Sequence, residues 1–386
     1  MASNFEFYSP TRVIFGKGTE QRVGALVREY GGTRVLIVYG GKSAIRSGVL
    51  DRAEKSLAEA GLSSWTLGGV VPNPHLDKVY EGIRIGRENG IDFLLAVGGG
   101  SAIDAAKAAA LLAANPSQGG IWDYIAGGKT PSAPALPVGL VVTIPSTGSE
   151  SNPSAVITDP VLGEKRIYTE PSMQPRFSIT APELTYTLPA YPAACGIADI
   201  FCHLLEQYLH NDTGVQLSDN LLLGAMGAVV QWGPKALAQP YSFDAQSNLL
   251  FASYLAMCRI LAVGHSENWI SHMVEHALSG RFHLAHGAGM AIVMPAYMEA
   301  ITPWDVSGRL SRLSREVFGC PDEPAHRLMR QFFRGLNLPA SLREAEIALT
   351  DASDIAGKSL PYGSILVEGY PPFTLESARS LLERIR

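Results

Sequence analysis

Three short apolar runs, each followed by glycine or proline and separated by helical patterns, constrain the fold of this 386-residue chain most strongly. The runs are Val35–Tyr39, Phe93–Val97 and Val138–Ile144. The helical stretches between them are Gly48–Ala60, His75–Asn89 and Ser101–Ala114. Strands that are apolar on both faces and alternate with helices predict a parallel sheet covered by helices on both sides.

The pattern changes near Pro189, after which long helical periodicities dominate. These are Ala193–Leu209, Asp219–Trp232, Phe243–Val263, Trp269–Leu278 and a further series to the C-terminus. The chain is also longer than one hydrophobic core normally supports. The sequence therefore predicts two domains, an α/β domain over residues 1–188 with a Rossmann-like parallel sheet and an all-helical domain over residues 189–386. At the N-terminus, Phe5–Tyr8 and Arg12–Phe15 predict a hairpin-like pair of strands.

Charge and composition argue against several classes of function. The net charge is −5 and no run of Lys or Arg forms a basic stripe, which argues against nucleic-acid binding. We see no signal-peptide pattern and no apolar run of the roughly 20 residues that cross a bilayer. The four cysteines are scattered without a CxxC pair, which favours reduced thiols and a cytoplasmic location.

The strand Phe93–Val97 runs into Gly98-Gly99-Gly100-Ser101 at the start of a predicted helix. Glycines allow a ligand to approach the backbone closely, and the free amides of a helix N-terminus attract phosphate. The common G-x-G-x-x-G fingerprint is absent. A purely structural turn, with Ser101 as N-cap and Asp104 as its capping-box partner, is an open alternative.

Two other strands also end in small, hydrogen-bonding residues. Ligands of open parallel sheets bind beyond the carboxyl ends of the strands. Gly40–Ser43 and Thr143–Ser149 therefore form a plausible dinucleotide crevice together with the triple-glycine turn. Enzymes that use NAD usually carry an acidic residue near the first of these segments. Here no acid occurs before Asp51 while Lys42 lies close by, so NADP(H) is the predicted cofactor.

Histidines are concentrated in the predicted helical domain, where seven of the nine lie between positions 203 and 286. Asp199, His203 and Glu206 share one face of a helix, and His272 and His276 share one face of another. Ligands four residues apart can point at one ion, and this mixture of imidazole and carboxylate suits Fe²⁺ or Zn²⁺. Each pair alone is explained as well by ordinary helix-surface polarity, but two pairs on separate helices favour a metal site. His210 and His265 lack such geometry.

These residues resemble one family along essentially the whole chain, the iron-containing (group III) alcohol dehydrogenases. Within that family the sequence looks most like the branch of NADPH-dependent aldehyde reductases and butanol dehydrogenases. The matching stretches are Pro10–Gly18, Val97–Lys107, Ile144–Asn152, Thr185–Pro189, Asp199–Glu206 and His272–Pro295.

The resemblance implies roles for individual residues. The metal ligands implied are Asp199, His203, His272 and His286, and the extra active-site histidine is His276. The cofactor-binding residues implied are Gly40, Gly41, Ser43, Gly98, Gly99, Gly100, Ser101, Asp104, Thr143, Thr147, Gly148, Ser149, Asn152 and Lys165. The helical domain is then the metal-binding domain, and the α/β domain binds the dinucleotide. A homodimer is implied as well.

The resulting hypothesis is a metal-dependent oxidoreductase that transfers hydride between NADP(H) and small primary alcohols or aldehydes, mainly reducing aldehydes. A divalent ion would act as a Lewis acid on the carbonyl, and His276 would either relay a proton or only line the pocket. Alternatives are an NAD-linked polyol (glycerol-type) dehydrogenase, a dehydroquinate-synthase-like lyase of the same fold, and a non-catalytic sensor. The lyase needs several basic residues for its substrate, whereas the surroundings of the metal residues are mostly apolar.

Overall fold

The computed structural model describes residues 3–116, 120–125, 129–361 and 371–386, together with the backbone of Leu366 and Val367. The chain divides into two compact units. One is Ser9–Leu188, and the other joins the residues up to Tyr8 with Pro189–Arg386.

Where the structure describes the first unit, it contains eight strands and six α-helices. Its strands are β1 (Arg12–Phe15), β2 (Arg34–Tyr39), β3 (Ser63–Leu67), β4 (Phe93–Gly98), β5 (Val138–Val142), β6 (Ser154–Asp159), β7 (Glu164–Thr169) and β8 (Phe177–Thr180). Its helices are α1 (Val23–Glu29), α2 (Lys42–Arg46), α3 (Val49–Glu59), α4 (Leu76–Asn89), α5 (Gly100–Ala114) and α6 (Ile121–Ile125).

Six of these strands form one sheet in the order β1-β8-β5-β4-β2-β3, and every neighbouring pair is parallel. This confirms the predicted parallel α/β fold. From β2 the chain moves outward to β3, and it then returns to β4 and continues through β5 to β8 on the other side. The direction of winding therefore reverses between β2 and β4, which is where open sheets of this type bind ligands.

Alternate side chains of the central strands face two different helical layers. Val35, Ile37 and Leu95 share a core cluster with residues of α1 and α3. Leu36 lies on the opposite face, where it approaches Gly82 of α4. The layers are tightly packed, because a Cβ at Gly24 of α1 would overlap the backbone carbonyl of Ser56 in α3. Both faces of the sheet are thus buried, which explains why its strands are continuously apolar.

Strands β6 and β7 form a separate antiparallel pair that packs against α5. Their polar, alternating sequences do not resemble the buried strands of the main sheet, and the sequence analysis did not predict them. Ser154 at the start of β6 pairs with Thr169, and Thr158 pairs with Lys165. This hairpin follows directly after the loop that begins at Thr143.

The second unit is built almost entirely of helices. These are α7 (Ala190–Tyr208), α8 (Gln216–Ala238), α9 (Phe243–Met257), α10 (Ile270–Phe282), α11 (His286–Ile301), α12 (Arg309–Glu316), α13 (Ala325–Gly335), α14 (Ala352–Lys358) and α15 (Leu375–Arg384). Two short strands, β9 (Leu366–Val367) and β10 (Phe373–Thr374), pair in antiparallel fashion. The prediction of a purely helical domain is corrected by this small pair.

The predicted helix over Phe243–Val263 is also too long. Helix α9 ends at Met257, because Arg259 takes a left-handed conformation with φ of 69° and a short 3-10 turn follows at Ile260–Ala262. A left-handed residue cannot continue a right-handed helix.

The predicted N-terminal hairpin is wrong. Strand β1 pairs in parallel with β8, more than 160 positions away in the sequence, and Ser3–Tyr8 forms no strand. The Ser3 amide donates a hydrogen bond to the Gly264 carbonyl at 2.9 Å, and this segment groups with the helical unit rather than with residues 9–188. A local pattern of apolar residues shows that β1 is extended, but it does not reveal a distant pairing partner.

Helix α8 is the one described helix that is long and apolar enough to cross a membrane by length and composition, which the sequence analysis did not anticipate. It packs against α7 and α9 and contributes Leu222, Met226 and Val229 to the core cluster of the helical unit. Helix α7 contributes to the same cluster. All of its residues from Ala194 to Tyr208 are buried, including Ile197 and Phe201.

Candidate metal centre and cofactor-binding edge

Helix α7 holds the first two predicted metal ligands on one face. Asp199 is fully buried and His203 is 5% exposed. Because they are four residues apart, the imidazole lies one turn beyond the carboxylate, with Nδ1 of His203 3.5 Å from Oδ1 of Asp199.

The other two predicted ligands come from α10 and from the first residue of α11. Nε2 of His272 lies 3.7 Å from Oδ1 of Asp199, and Nε2 of His286 lies 3.2 Å from the same oxygen. Helix α11 reaches this position because Gly287 leaves no side chain between it and α7. A Cβ at Gly287 would overlap the backbone carbonyl of Cys195.

Four side chains from three helices therefore meet at one point. Ligand atoms of Asp199, His203, His272 and His286 all lie within 4.8 Å of one another. Three of the four residues are buried, and the His286 side chain is 18% exposed. The structure thus brings together the four residues that the sequence analysis predicted as metal ligands.

The donor atoms fit a metal ion. Among the described residues, Nδ1 of His203 and Nε2 of His272 are buried without a hydrogen-bond partner. Leaving two imidazole nitrogens unsatisfied in a protein interior is costly, and a cation is the natural partner for both lone pairs. Three imidazoles and one carboxylate form a donor set that suits Fe²⁺ or Zn²⁺.

Electrostatics within the cluster keep the Asp199 carboxylate ionised. Burial raises the pKa of Asp199, but His203 and His286 outweigh that effect and hold the pKa well below its usual value. Burial lowers the pKa of His203 to about 3, although Asp199 opposes the shift. Burial also acts to lower the pKa of His272, but the carboxylates of Glu206 and Asp199 prevail and raise it to about 10. Asp199 is therefore ionised and His203 neutral at physiological pH.

Two buried glutamates contact Nδ1, the ring nitrogen that faces away from Asp199, in His272 and His286. Oε2 of Glu206 accepts from Nδ1 of His272, and Oε2 of Glu275 accepts from Nδ1 of His286. Both glutamates are fully buried. The sequence analysis noted Glu206 on the ligand face of its helix but gave neither residue a role. Spacing identifies the ligand face of α7, but it does not show which histidine from another helix will lie there.

His276 lies beside the cluster rather than within it. Its ring centroid is 5.4 Å from that of His286 and 6.1 Å from that of His272. It is partly exposed, and together with Glu275 and His286 it forms a second group of possible metal-ligating atoms. Since His286 belongs to both groups, the two cannot act as independent sites. Trp269 also lies next to the cluster, with its ring centroid 5.4 Å from that of His272.

In the other unit, the three predicted cofactor segments follow three neighbouring strands. Gly40–Ser43 follows β2, Gly98–Ser101 follows β4, and the loop from Thr143 follows β5. These strands are adjacent and parallel, so the segments share one edge of the sheet. The sequence analysis predicted this grouping.

The triple-glycine turn is packed directly against the loop from Thr143. A Cβ at Gly99 would press on Ile144, and a Cβ at Gly100 would overlap the side chain of Thr147. Helix α5 begins at Gly100 with Gly99 as its N-cap, and no side chain caps it. The capping-box alternative for Ser101 and Asp104 is therefore wrong.

Asp104 and Lys107 of α5 form hydrogen bonds with the loop that follows β5. Asp104 accepts hydrogen bonds from Oγ of Ser149 at 2.6 Å and from the amide of Val156 at 3.0 Å. Nζ of Lys107, which is fully buried, lies 2.6 Å from the Ser149 carbonyl and 2.8 Å from Oγ of Ser149. It also donates to the carbonyls of Asn152 and Ser154, at 2.8 and 2.9 Å.

The sequence analysis missed this role of Lys107. The available signal was its position three residues after Asp104, on the same face of an otherwise alanine-rich helix. Burial lowers the pKa of the lysine to about 8, against the opposing carboxylates of Asp104 and Glu150. Asp104, predicted as a cofactor-binding residue, contacts the loop rather than open space.

The remaining predicted cofactor residues differ in exposure. Gly41 and Ser43 are exposed beyond the end of β2, and a Cβ at Gly41 would meet no atom within 4 Å. Lys165 is buried on β7, where its charge acts on Asp104. Gly148 takes a left-handed conformation, and its carbonyl accepts from Nδ2 of Asn152 at 3.1 Å.

A glycine-rich edge of a parallel sheet and a buried aspartate–histidine cluster, carried by two successive units, are typical of a class of metal-dependent oxidoreductases. Comparison with known protein families agrees with that class. The profile of the iron-containing alcohol dehydrogenases matches residues 10–182, and the profile of the C-terminal part of the same family matches residues 193–385. The chain belongs to the iron-containing alcohol dehydrogenase family, which implies a divalent metal and a nicotinamide cofactor.

Individual relatives carry different cofactor names. NADH-dependent butanol dehydrogenase B of Clostridium acetobutylicum is 38% identical over 89% of this chain and 90% of its own length. NADPH-dependent aldehyde reductase YqhD of Escherichia coli is 32% identical over the whole of both chains. The crystal structure of NADH-dependent butanol dehydrogenase A from Thermotoga maritima superposes with a TM-score of 0.94 at 30% identity, covering 100% of this chain and 99% of that one.

Proposed function

We propose that this alcohol dehydrogenase transfers hydride between NADP(H) and small primary alcohols or aldehydes and acts mainly as an aldehyde reductase. The observation that carries the proposal is the convergence of four potential ligands from three helices within 4.8 Å. Asp199, His203, His272 and His286 would hold one divalent ion, Fe²⁺ or Zn²⁺. When bound, the ion supplies Lewis acidity that polarises the carbonyl of an aldehyde.

The protein's own residues supply charge balance and exclusion of water. Asp199 is ionised and fully buried, so it partly neutralises a divalent cation in a region without bulk solvent. Trp269 places an apolar ring against His203 and His272, at centroid distances of 6.0 and 5.4 Å. A mostly apolar wall suits small uncharged aldehydes better than the phosphate- or carboxylate-rich substrates of a lyase.

His276 is the proposed proton-transfer residue. It is partly exposed, unlike His203 and His272, so its ring can exchange a proton with solvent while lying next to the ligand His286. We expect His276→Ala to remove one ionisation from the pH profile of kcat/KM. An unchanged profile would show that His276 only lines the pocket.

The dinucleotide is proposed to bind at the carboxyl edge of β2, β4 and β5. Helix α5 begins at the glycines after β4 without a side-chain cap, so its first backbone amides are the proposed donors to phosphate. At the end of β2, Gly40 and Gly41 are followed by exposed Lys42 and Ser43, which can donate to a 2′-phosphate. This arrangement supports NADP(H) over NAD, and Lys165 is the proposed contact on the nicotinamide side.

The remaining proposals concern organisation. Each sequence domain has one role, with residues 1–188 binding the dinucleotide and residues 189–386 binding the metal. A homodimer in the cytoplasm is proposed as the working form. The four cysteines are free in the structure, as expected in a reducing compartment.

The decisive experiment follows NADPH absorbance when butanal is added to protein loaded with Fe²⁺ or Zn²⁺. The proposal predicts consumption of NADPH that disappears after chelation and returns when the ion is restored. Parallel reactions with NADH and with glycerol plus NAD identify a NADH-linked reductase or a polyol dehydrogenase. Absence of nicotinamide turnover with every substrate would leave only the lyase or sensor alternatives and refute the proposal.

A further inference from the structure

The metal centre is surrounded by two matched hydrogen-bond chains that the chemistry described so far does not use. In the first chain, one oxygen of Glu206 accepts from Nδ1 of His272, and the other accepts from Oγ of Ser271 and from the backbone N–H of His272, the latter at 3.2 Å. Glu206 and Ser271 are both fully buried. Both oxygens of this carboxylate therefore accept hydrogen bonds.

The second chain repeats this pattern of histidine, carboxylate and serine. Oε2 of Glu275 accepts from Nδ1 of His286, and Oε1 accepts from Oγ of Ser279. Ser279 also lies 3.0 Å from the carbonyl of Leu284, which gives its hydroxyl a second acceptor.

We propose that Glu206 and Glu275 are positioning residues that fix His272 and His286 with the proton on Nδ1. Nε2 of each ring then presents its lone pair towards Asp199, at 3.7 and 3.2 Å. A histidine that donates through one ring nitrogen must coordinate through the other. This inference rests on the proposed metal centre and adds the residues that determine which nitrogen binds the ion.

The two chains predict how the site responds to an isosteric substitution of each glutamate. Gln in place of Glu keeps the size of the side chain but turns one oxygen into an NH₂ donor. At position 206 the backbone N–H of His272 is a fixed donor and demands the amide oxygen. The NH₂ group must then face Nδ1 of His272, which forces that nitrogen to accept and moves the ring proton to Nε2.

At position 275 the same substitution removes the charge and leaves one amide oxygen for two donors, Nδ1 of His286 and Oγ of Ser279. The Ser279 hydroxyl can donate to the Leu284 carbonyl instead. Glu275→Gln therefore weakens the support of His286 at least through the loss of charge.

The test is a titration of chelator-stripped full-length protein with Co²⁺, followed by visible absorption and by competition with a chelator. We expect Glu206→Gln and Glu275→Gln each to weaken Co²⁺ affinity about 10–100-fold, the range seen when outer partners of metal ligands are altered. Glu20→Gln is the matched control, since Glu20 is a buried carboxylate of the α/β unit that pairs with Arg52. It should bind Co²⁺ like the wild type.

Equal Co²⁺ affinities for the wild type and either glutamine variant overturn the positioning role of that glutamate. A wild type that binds no divalent ion overturns the metal centre itself, which is a different outcome. Because Glu206→Gln could fail to fold, the wild type provides a second measurement. In ¹⁵N-histidine-labelled, Zn²⁺-loaded protein, both rings should show protonated Nδ1 and metal-shifted Nε2. Coordination of either ring through Nδ1 refutes the inference.

Discussion

Lys107 offers a direct test of how the α/β unit supports the proposed cofactor-binding edge of its sheet. The substitution is Lys107→Met, which keeps most of the buried stem and removes the ammonium. Three backbone carbonyls, those of Ser149, Asn152 and Ser154, then lose the donor that approaches them to between 2.6 and 2.9 Å. Each lies in the loop or hairpin that follows β5.

The size of the effect follows from these three carbonyls. A buried polar group left without its partner costs about 1–3 kcal/mol, so the lower end of the range gives about 3 kcal/mol in total. That loss corresponds to roughly 100-fold faster amide exchange in the segment that opens. Catalysis should suffer too, since ångström-scale misplacement of positioning groups can lower rates about 100-fold.

The assay is hydrogen–deuterium exchange read by mass spectrometry over peptides covering residues 147–156, together with kcat/KM for NADPH. Lys78→Met is the control, because Lys78 makes a partly exposed ion pair with Glu81 that is worth at most about 1 kcal/mol. Unchanged exchange in residues 147–156 would refute the view that Lys107 clamps the loop. Faster exchange without a change in kcat/KM would show that the loop does not position the cofactor.

Three further predictions concern the charge of single residues. Asp199→Ala should remove bound metal and activity together while circular dichroism stays unchanged, and full turnover by the metal-free variant would disprove the metal role. Lys42→Glu should raise KM for NADPH about 10–100-fold with little change in KM for NADH, because a charge-assisted contact is worth about 1.5–3 kcal/mol. The control is Lys55→Glu, an exposed substitution on α3, which should change neither KM. Burial lowers the pKa of Lys107 to about 8 from 10.5 in the unfolded chain, so the unfolded state binds more protons in that interval. The free energy of unfolding of the wild type relative to Lys107→Met should therefore rise between pH 8 and pH 10.5 in denaturant titrations, and a fall would contradict the assigned shift.

Local patterns in the sequence predicted the buried core of the α/β unit well. The run Val35–Tyr39 is β2 almost to the residue, because a strand covered on both faces is a continuous apolar segment ended by glycine. The same criterion missed β3, an edge strand whose sequence from Ser63 to Leu67 is largely polar and exposed. It also missed the β6–β7 pair, where only one face is buried.

The metal centre shows the same division between what spacing reveals and what only packing reveals. Intervals of four residues on one helix are visible in the sequence, and the resemblance to a family supplied the pairing of Asp199 and His203 with His272 and His286. Spacing does not identify the carboxylates of Glu206 and Glu275 that contact the histidines. Glu206 is seven residues after Asp199, but its partner His272 lies on a separate helix, α10, and no sequence interval encodes that contact.

Two glycines of α11 show how a short stretch of sequence determines the packing around His286. Gly287 allows α11 to touch the backbone of α7 at Cys195, and Gly289 leaves room for the side chain of Glu275, whose Cγ and Oε1 would be crowded by any Cβ there. An alanine at Gly287 would push His286 away from Asp199, whereas one at Gly289 would disturb the glutamate that orients the same histidine. The short interval from His286 to Gly289 therefore encodes both the position and the orientation of one proposed metal ligand.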